Sequence, residues 1–174
     1  MNLYFMRHGI ALARDDPSVI DDDERPLSKK GVKRTRGIAK GIRRLDIPFD
    51  ALLTSPLARA RQTVDIVAAA LGGETRVEEI SSLKPDSSLA QLLADLSRYQ
   101  EHNHVLLVGH EPFLSEVLSF VLAGEVGPRI QLEFKKGALC RAETDSVLSP
   151  QPGRLHWFLT PKQLRLLGKQ PRIC

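Results

Sequence analysis

Short apolar runs alternate with segments of helical periodicity from the start of the chain as far as Leu122. Leu3 to Met6, Ala51 to Thr54 and His104 to Val108 are each brief and bounded by polar residues, a pattern typical of buried strands. The last run is continuously apolar from Val105, as in a strand that is covered on both faces. Further strands are predicted over Val77 to Ile80, Arg129 to Phe134, Ala138 to Thr144 and Arg154 to Leu159.

The segments between these runs have the spacing of amphipathic helices. Ser28 is placed as the N-cap of a basic helix through about Arg44, after an acidic loop from Asp15 to Arg25. Ser55 is placed as the N-cap of a second helix, which ends at Gly72-Gly73. Further helices are predicted over Ser87 to Tyr99 and Phe113 to Leu122. This alternation predicts an α/β domain with a mainly parallel central sheet.

Length and composition favour one domain. The 174 residues, 42% of them hydrophobic, fit a single unit over residues 1–174, with about 162–174 as a C-terminal tail. No apolar stretch approaches the roughly 18 residues that a membrane-spanning helix needs. Cys140 and Cys174 do not form a metal-like or redox-like pair. We therefore expect a cytoplasmic protein with no membrane partner.

The charge is modest and mixed. There are 25 Lys and Arg against 21 Asp and Glu, a net charge of +4, which fits an anionic substrate and does not indicate a nucleic-acid partner. The basic run from Lys29 to Arg44 is interpreted as a solvated helix face. A docking surface for an acidic protein or for nucleic acid is the alternative.

Basic and imidazole side chains follow the predicted buried strands. Arg7-His8-Gly9 follows the first strand, Arg59 lies shortly after the second, and Gly109-His110 follows the strand at Val105 to Val108. Ligands of parallel sheets bind outside the carboxyl ends of the strands. We therefore expect these side chains to converge on one crevice.

This set of residues suits phosphoryl transfer, which needs an in-line nucleophile and positive donors for the phosphoryl oxygens. Arg7 and Arg59 are candidate clamps, because a guanidinium stays charged and its planar fork matches two oxygens. His8 is the candidate nucleophile, since a neutral imidazole can form a phosphoramidate. Gly9 lets the backbone pass close to the bound group. His110, if cationic, would stabilise the transferring phosphoryl or share a proton with it.

The motifs resemble those of the histidine phosphatase superfamily, which also contains the phosphoglycerate mutases. The resemblance covers about Met1 to Leu122 and rests on Arg7-His8-Gly9, on Ser55-Pro56-x-x-Arg59-Ala60-x-Gln62-Thr63 and on Gly109-His110. The short length, Arg25-Pro26-Leu27-Ser28-x-x-Gly31 and Trp157-Phe158-Leu159-Thr160-Pro161 are similar to the smaller SixA branch, the phosphohistidine phosphatases.

The resemblance implies a three-layer α/β/α sandwich of the phosphoglycerate mutase type and a covalent phosphohistidine intermediate on His8. It also implies an oxyanion pocket formed by Arg7, Arg59 and His110, with no metal and no cofactor. Arg25 is a further candidate phosphate ligand, and the alternative is that it pairs with the acidic run Asp21 to Glu24.

One departure from the wider superfamily concerns the leaving group. Mutases and general phosphomonoesterases of this fold carry an acid after the third strand, where this chain has Ser81-Ser82-Leu83-Lys84-Pro85. Glu78 and Glu79 lie just before that position. An alkoxide leaves poorly without a proton, whereas the P–N bond of phosphohistidine is labile. The expected substrate is therefore a phosphohistidine-containing protein.

Two alternatives stay open. One is a small-molecule phosphomonoesterase for sugar or nucleotide phosphates, with Glu78 or Glu79 as proton donor. The other is a non-catalytic module that binds phosphoproteins.

Overall fold

A single six-stranded sheet forms the centre of the molecule, in the strand order β3-β2-β4-β1-β5-β6. The computed structural model describes residues 1–72, 75–124, 130–147 and 151–169. The strands are β1 (Asn2–Arg7), β2 (Ala51–Thr54), β3 (Val77–Glu79), β4 (His104–Gly109), β5 (Leu139–Glu143) and β6 (Arg154–Leu159). The pairs β1–β4, β2–β4 and β2–β3 are parallel, and β5 and β6 join as antiparallel strands. The predicted mainly parallel sheet is confirmed.

Helices cover both faces of this sheet. They are α1 (Lys29–Arg44), α2 (Ala58–Leu71), α3 (Leu89–Leu96), α4 (Phe113–Ala123) and α5 (Pro161–Leu167). Side chains of α3 and α4 share one apolar cluster with Leu3, Phe5, Val105 and Leu107, and those of α1, α2 and α5 share another with Tyr4, Met6, Leu106 and Val108. Alternate side chains of β1 and β4 therefore point to opposite faces of the sheet. This arrangement is the three-layer sandwich that the family resemblance implies. None of the helices in the described ranges is both long and apolar enough to span a bilayer.

Two glycines of α1 allow close approach of other backbone segments. A Cβ at Gly31 would overlap the carbonyl oxygen of Ile10, and one at Gly41 would overlap that of Leu164 in α5. Glycine lowers helix propensity, so α1 gives up some intrinsic stability at these positions. In return the loop after β1 and the last described helix pack directly against its backbone.

The structure corrects the prediction of a strand over Arg129 to Phe134. Arg129 lies outside the described residues, and residues 130–134 form no strand. The amide of Ile130 donates to Ser119 Oγ, and the amide of Phe134 donates to the carbonyl of Leu132 two residues earlier. Local and side-chain hydrogen bonds thus replace the ladder that a strand needs.

The C-terminal segment also differs from the expected tail. Thr160 and Gln163 form a reciprocal capping box that starts α5, and Leu164 is buried against α1. Residues 170–174, which include Cys174, lie outside the described part of the chain, as does Gly73 of the predicted Gly72-Gly73 stop. Gly72 itself ends α2 in a left-handed conformation.

Candidate active site

The ends of β1 and β4 bring two imidazoles side by side. Arg7 and Gly109 are paired in register, and the amide of His8 donates to the carbonyl of Gly109 at 3.1 Å. His8 and His110 each directly follow these strands, and their ring centroids are 4.9 Å apart with an interplanar angle of 50°. The register of β1 and β4 therefore places His8 beside His110, as the sequence predicts.

The hydrogen bonding of His8 determines which ring nitrogen is nucleophilic. His8 is 6% exposed, and its Nδ1 lies 2.7 Å from the carbonyl oxygen of Gly9. A carbonyl oxygen only accepts, so Nδ1 carries the proton in this contact. The lone pair of the neutral ring therefore resides on Nε2.

The surroundings of His8 keep its ring neutral. Burial lowers the pKa of His8 to about 3, and the neighbouring His110 contributes in the same direction. The charges of Arg59 and Arg7 lower this pKa further, while the hydrogen bond to the Gly9 carbonyl raises it. Near pH 7 the imidazole is consequently in the form that can attack phosphorus.

His110 is also buried and neutral. It is 3% exposed, and burial followed by the charges of Arg59 and Arg7 lowers its pKa to about 3. The cationic form considered in the sequence analysis therefore requires added negative charge beside the ring. Its Nε2 lies 2.9 Å from Ser55 Oγ. Ser55 is thus part of the site, and the residue that caps α2 is Leu57 rather than Ser55 as predicted.

Arg7 is held by one backbone contact. Its terminal nitrogen donates to the carbonyl of Phe134 at 2.7 Å, and its Nε is buried without a hydrogen-bond partner. Burial lowers the pKa of Arg7, and the charge of Glu111 opposes that shift. A buried N–H without a partner is costly, so the guanidinium retains capacity for an acceptor.

Arg59 is held by both the backbone and the side chain of Asp22. It is 3% exposed, donates to the Asp22 carbonyl at 2.7 Å and lies 3.2 Å from Asp22 Oδ2. Asp22 Oδ1 also accepts from Arg25 Nε at 2.8 Å, and Arg25 donates to the carbonyl of Leu12. Arg25 therefore forms an ion pair within the acidic run, and the carboxylate of Asp22 contacts both Arg25 and Arg59.

Sequence reasoning missed Asp22 as a residue of the site. Burial raises the pKa of its carboxyl, but the hydrogen bond from Arg25 and the charges of Arg59 and Arg14 outweigh burial and lower it. The carboxylate stays ionised and partly neutralises the arginines. The one available signal was the i, i+3 spacing to Arg25 inside the acidic loop.

Close packing against α1 explains why position 9 is a glycine. A Cβ at this position would lie 2.5 Å from Thr35 Oγ1 of α1. Its amide donates to Thr63 Oγ1 at 2.9 Å, and that hydroxyl donates to the carbonyl of Arg59 at 2.6 Å. Thr63 therefore ties the loop after β1 to the helix that carries Arg59.

Neither candidate proton donor lies in the centre of the site. Glu78 accepts a hydrogen bond from the Tyr99 hydroxyl at 3.0 Å, and Glu79 pairs with Arg61 at 2.6 Å. Neither glutamate is among the described residues that line the cavity beside Arg7 or the one beside Arg59. Lys84, from the segment where related phosphatases carry an acid, lines the smaller cavity.

The two arginines face different cavities. Arg7 and Gly9 line a groove of about 660 Å³, whereas Arg59 and Asp22 line a cavity of about 320 Å³. Both guanidinium charges nevertheless lower the pKa of both imidazoles. Both positive charges thus act on the same histidine pair, which favours binding of a tetrahedral oxyanion beside it.

Comparison with known proteins identifies related sequences. The sequence model of the histidine phosphatase superfamily (branch 1) matches residues 3–84. An uncharacterised protein of Picosynechococcus is 42% identical over 158 residues, which cover 85% of this chain and 93% of that protein. The phosphohistidine phosphatase SixA of Escherichia coli K12 is 26% identical over 168 residues, with 95% and 98% covered.

Solved structures give the same relationship. The protein histidine phosphatase SixA complexed with tungstate superposes with a TM-score of 0.79 at 25% identity, covering 94% of this chain and 99% of that one. An alpha-ribazole phosphatase from Shigella flexneri superposes at 0.69 and 18% identity over 92% of this chain and 97% of its own, and so shares the fold. These relationships support a phosphatase activity. The chain belongs to the histidine phosphatase superfamily.

Proposed function

We propose that the protein removes phosphoryl groups from phosphohistidine on other proteins, without a cofactor, through a phosphohistidine intermediate on His8. The observation that carries this proposal is the pair of neutral, buried imidazoles flanked by two guanidinium groups. SixA of Escherichia coli, a relative over nearly the whole chain, is a phosphohistidine phosphatase.

The first step forms the enzyme intermediate. The Nε2 lone pair of His8 attacks phosphorus, and the P–N bond of the substrate breaks with its electron pair going to the departing nitrogen. The other nitrogen of the substrate ring carries a proton, so the ring departs as neutral imidazole. Nδ1 keeps its proton on the Gly9 carbonyl and shares the positive charge that develops on the ring. Arg7 and Arg59 bind the three equatorial oxygens of the transferring phosphoryl group, over which charge is spread in the transition state.

The second step regenerates His8. Water attacks the phosphorus bound to His8, the bond from phosphorus to Nε2 breaks with its electron pair returning to Nε2, and both protons of the water leave with inorganic phosphate as H2PO4⁻. A bound phosphoryl group places negative charge beside His110 and raises the pKa of that ring above about 3. His110 then takes up a proton and donates a hydrogen bond to the phosphoryl group through the nitrogen that Ser55 does not occupy.

The choice of a phosphoramidate over an ester rests on the partners that hold the carboxyl groups of Glu78, Glu79 and Asp22. Glu78 and Glu79 are engaged by Tyr99 and Arg61, and Asp22 is kept ionised by its arginine partners. A carboxylate that stays ionised is a poor proton donor for an alkoxide. The imidazole of phosphohistidine needs no acid from the enzyme, because its other ring nitrogen can take a proton from water and the ring then departs neutral.

The test compares phosphate release from a phosphohistidine protein and from a panel of sugar and nucleotide phosphates, without added metal. We expect kcat/KM for phosphohistidine to exceed that of every ester, and Glu79→Gln to leave the order unchanged. Faster ester hydrolysis that is lost in Glu79→Gln would select the small-molecule phosphomonoesterase. Tight binding of the phosphoprotein with no phosphate release would select the binding module.

A further inference from the structure

A groove lined by cations begins at the candidate active site and leads away from it. We call it the basic groove. It occupies about 660 Å³, and its charged lining consists of Arg7, Arg34, Lys135, Lys136, Lys162 and Arg165. No Asp or Glu side chain is among the described residues that line it. Such a one-sided charge distribution raises the local concentration of anions.

Most of this charge is not neutralised by the protein itself. Lys135 pairs with Glu133 at 3.2 Å, and that glutamate side chain is 79% exposed. Arg34, Lys136 and Lys162 are exposed and form no ion pair with any residue of the described ranges. The groove therefore holds cations that are free for a partner.

Lys136 connects the groove to the catalytic centre. Its side chain lines the groove, and its pKa is lowered first by burial and then by the charges of Arg7, Arg25 and Arg59. The same arginines act on the two imidazoles. A ligand whose phosphoryl group reaches His8 therefore extends into a continuous positive field.

The groove has apolar as well as charged surface, which suits an extended peptide better than a second phosphate group alone. Ile38 and Pro161 give it apolar surface, and the Thr35 hydroxyl is buried without a hydrogen-bond partner in the described structure. Arg34 on α1 and Lys162 at the start of α5 also line it. Positive charges contributed by separate elements match carboxylates spread along a peptide.

We propose that the basic groove binds an acidic segment of the phosphorylated protein, adjacent in that protein to its phosphohistidine. This inference rests on the proposed function and adds the chemistry of the partner. The basic helix α1 contributes through Arg34, so only part of its charged surface acts in docking. The remaining exposed cations of α1, such as Arg36, lie outside the groove lining.

The test uses two synthetic peptides that carry one phosphohistidine each, flanked by four glutamates in one and by four glutamines in the other. We expect kcat/KM for the acidic peptide to be about tenfold higher at low ionic strength, as a few exposed ion pairs supply. The double variant Arg34→Glu with Lys162→Glu should remove this preference. Arg36→Glu, on the same helix outside the groove, should retain it.

A binding measurement separates failure of the groove from failure of the proposed function. The unphosphorylated glutamate peptide, with a fluorescent label, should bind the wild-type protein more tightly than the glutamine peptide does, whether or not either phosphopeptide is hydrolysed. Equal binding of both peptides, or an unchanged preference in the double variant, would overturn the docking proposal. So would displacement of the acidic peptide by fructose 1,6-bisphosphate at a lower concentration than by unlabelled peptide.

Discussion

The two arginines beside the imidazoles have opposite electrostatic surroundings. On one side, Arg59 is buried and paired with Asp22, which also binds Arg25. On the other side, Arg7 donates to a single backbone carbonyl and opens onto the basic groove. Arg59 is thus paired with a carboxylate at contact distance, whereas Arg7 is influenced by the charge of Glu111 and opens onto the groove. The Nε of each guanidinium is buried without a hydrogen-bond partner in the described structure, so both can accept a ligand.

This difference suggests a division of labour. An arginine held by two contacts from one residue has a fixed orientation, which suits the stabilisation of a transition state. An arginine that continues into an unpaired cationic groove contributes more to attracting and placing an anionic partner. The predictions below test this distinction.

The largest effect is expected from removing the fixed arginine. Arg59→Ala should lower kcat by about 10²- to 10³-fold, the range found for loss of one preorganised donor to a developing charge. Steady-state kinetics on a phosphohistidine substrate provides the measurement. The matched control is Arg61→Ala on the same helix, where an exposed arginine pairs with Asp65 and Glu79. Similar losses in both variants would remove the special role of Arg59.

Loss of the bridging carboxylate should have a smaller effect. Asp22→Asn keeps the backbone contact to Arg59 but removes the charged one, so we expect kcat to fall about tenfold, as for loss of a charge-assisted hydrogen bond. KM should not rise, because the variant also removes a negative charge beside the phosphoryl site. Asp23→Asn, which breaks an exposed pair with Lys84, serves as the control. A raised KM with unchanged kcat would contradict the positioning role.

Stability should fall in acid because both imidazoles are kept neutral by the fold. Their pKa values are about 3 in the folded protein and about 6.5 in an unfolded chain, so the unfolded state binds more protons between these values. The contribution is full above pH 6.5 and is lost as the pH falls toward 3. Each ring adds a slope of at most about 1.4 kcal/mol per pH unit.

Denaturant unfolding at a series of pH values measures this slope. His110→Gln should flatten it, and saturating tungstate should also flatten it, because a bound anion raises the histidine pKa values in the folded state. Replacing the half-exposed His156, which pairs with Glu143, leaves both buried imidazoles in place and is the control. A slope that does not change in His110→Gln would refute the pKa assignment.

The sequence predicted the parts of the site that depend on strand order. Arg7, His8 and His110 directly follow β1 and β4, and parallel neighbours place their carboxyl ends at one edge. Short apolar runs were enough to locate those strands. The convergence of these residues therefore needed no knowledge of side-chain packing.

Other features depend on contacts that are distant in sequence. Asp22 contacts Arg59 across 37 positions, and Ser55 contacts His110 across 55. Helical periodicity at Ser55 instead favoured a capping role, because local patterns do not reveal a tertiary hydrogen-bond partner. The segment before Phe134 has strand-like composition, yet its backbone is satisfied by Ser119 and by local turns.

The smallest predicted effect is a difference in salt dependence between binding in the basic groove and catalysis beside Arg59. Raising the ionic strength should increase KM for the acidic phosphopeptide a few-fold, because exposed groove cations are screened beyond about a Debye length. Turnover of free phosphohistidine at saturation should change less, since the guanidinium of Arg59 acts from a buried position. The comparison is a measurement of KM and kcat for both substrates at about 50 mM and about 500 mM salt, a range over which the Debye length shortens markedly. An equal response of both substrates would argue against the distinction.

The central claim is that phosphorus is transferred to Nε2 of His8, and trapping the intermediate tests it most directly. Wild-type protein mixed with a ³²P-phosphohistidine substrate and quenched in alkali should carry acid-labile label on His8, at the nitrogen that does not face Gly9. His8→Ala should lose both the label and turnover. Label on another residue, or full turnover in His8→Ala, would contradict the account.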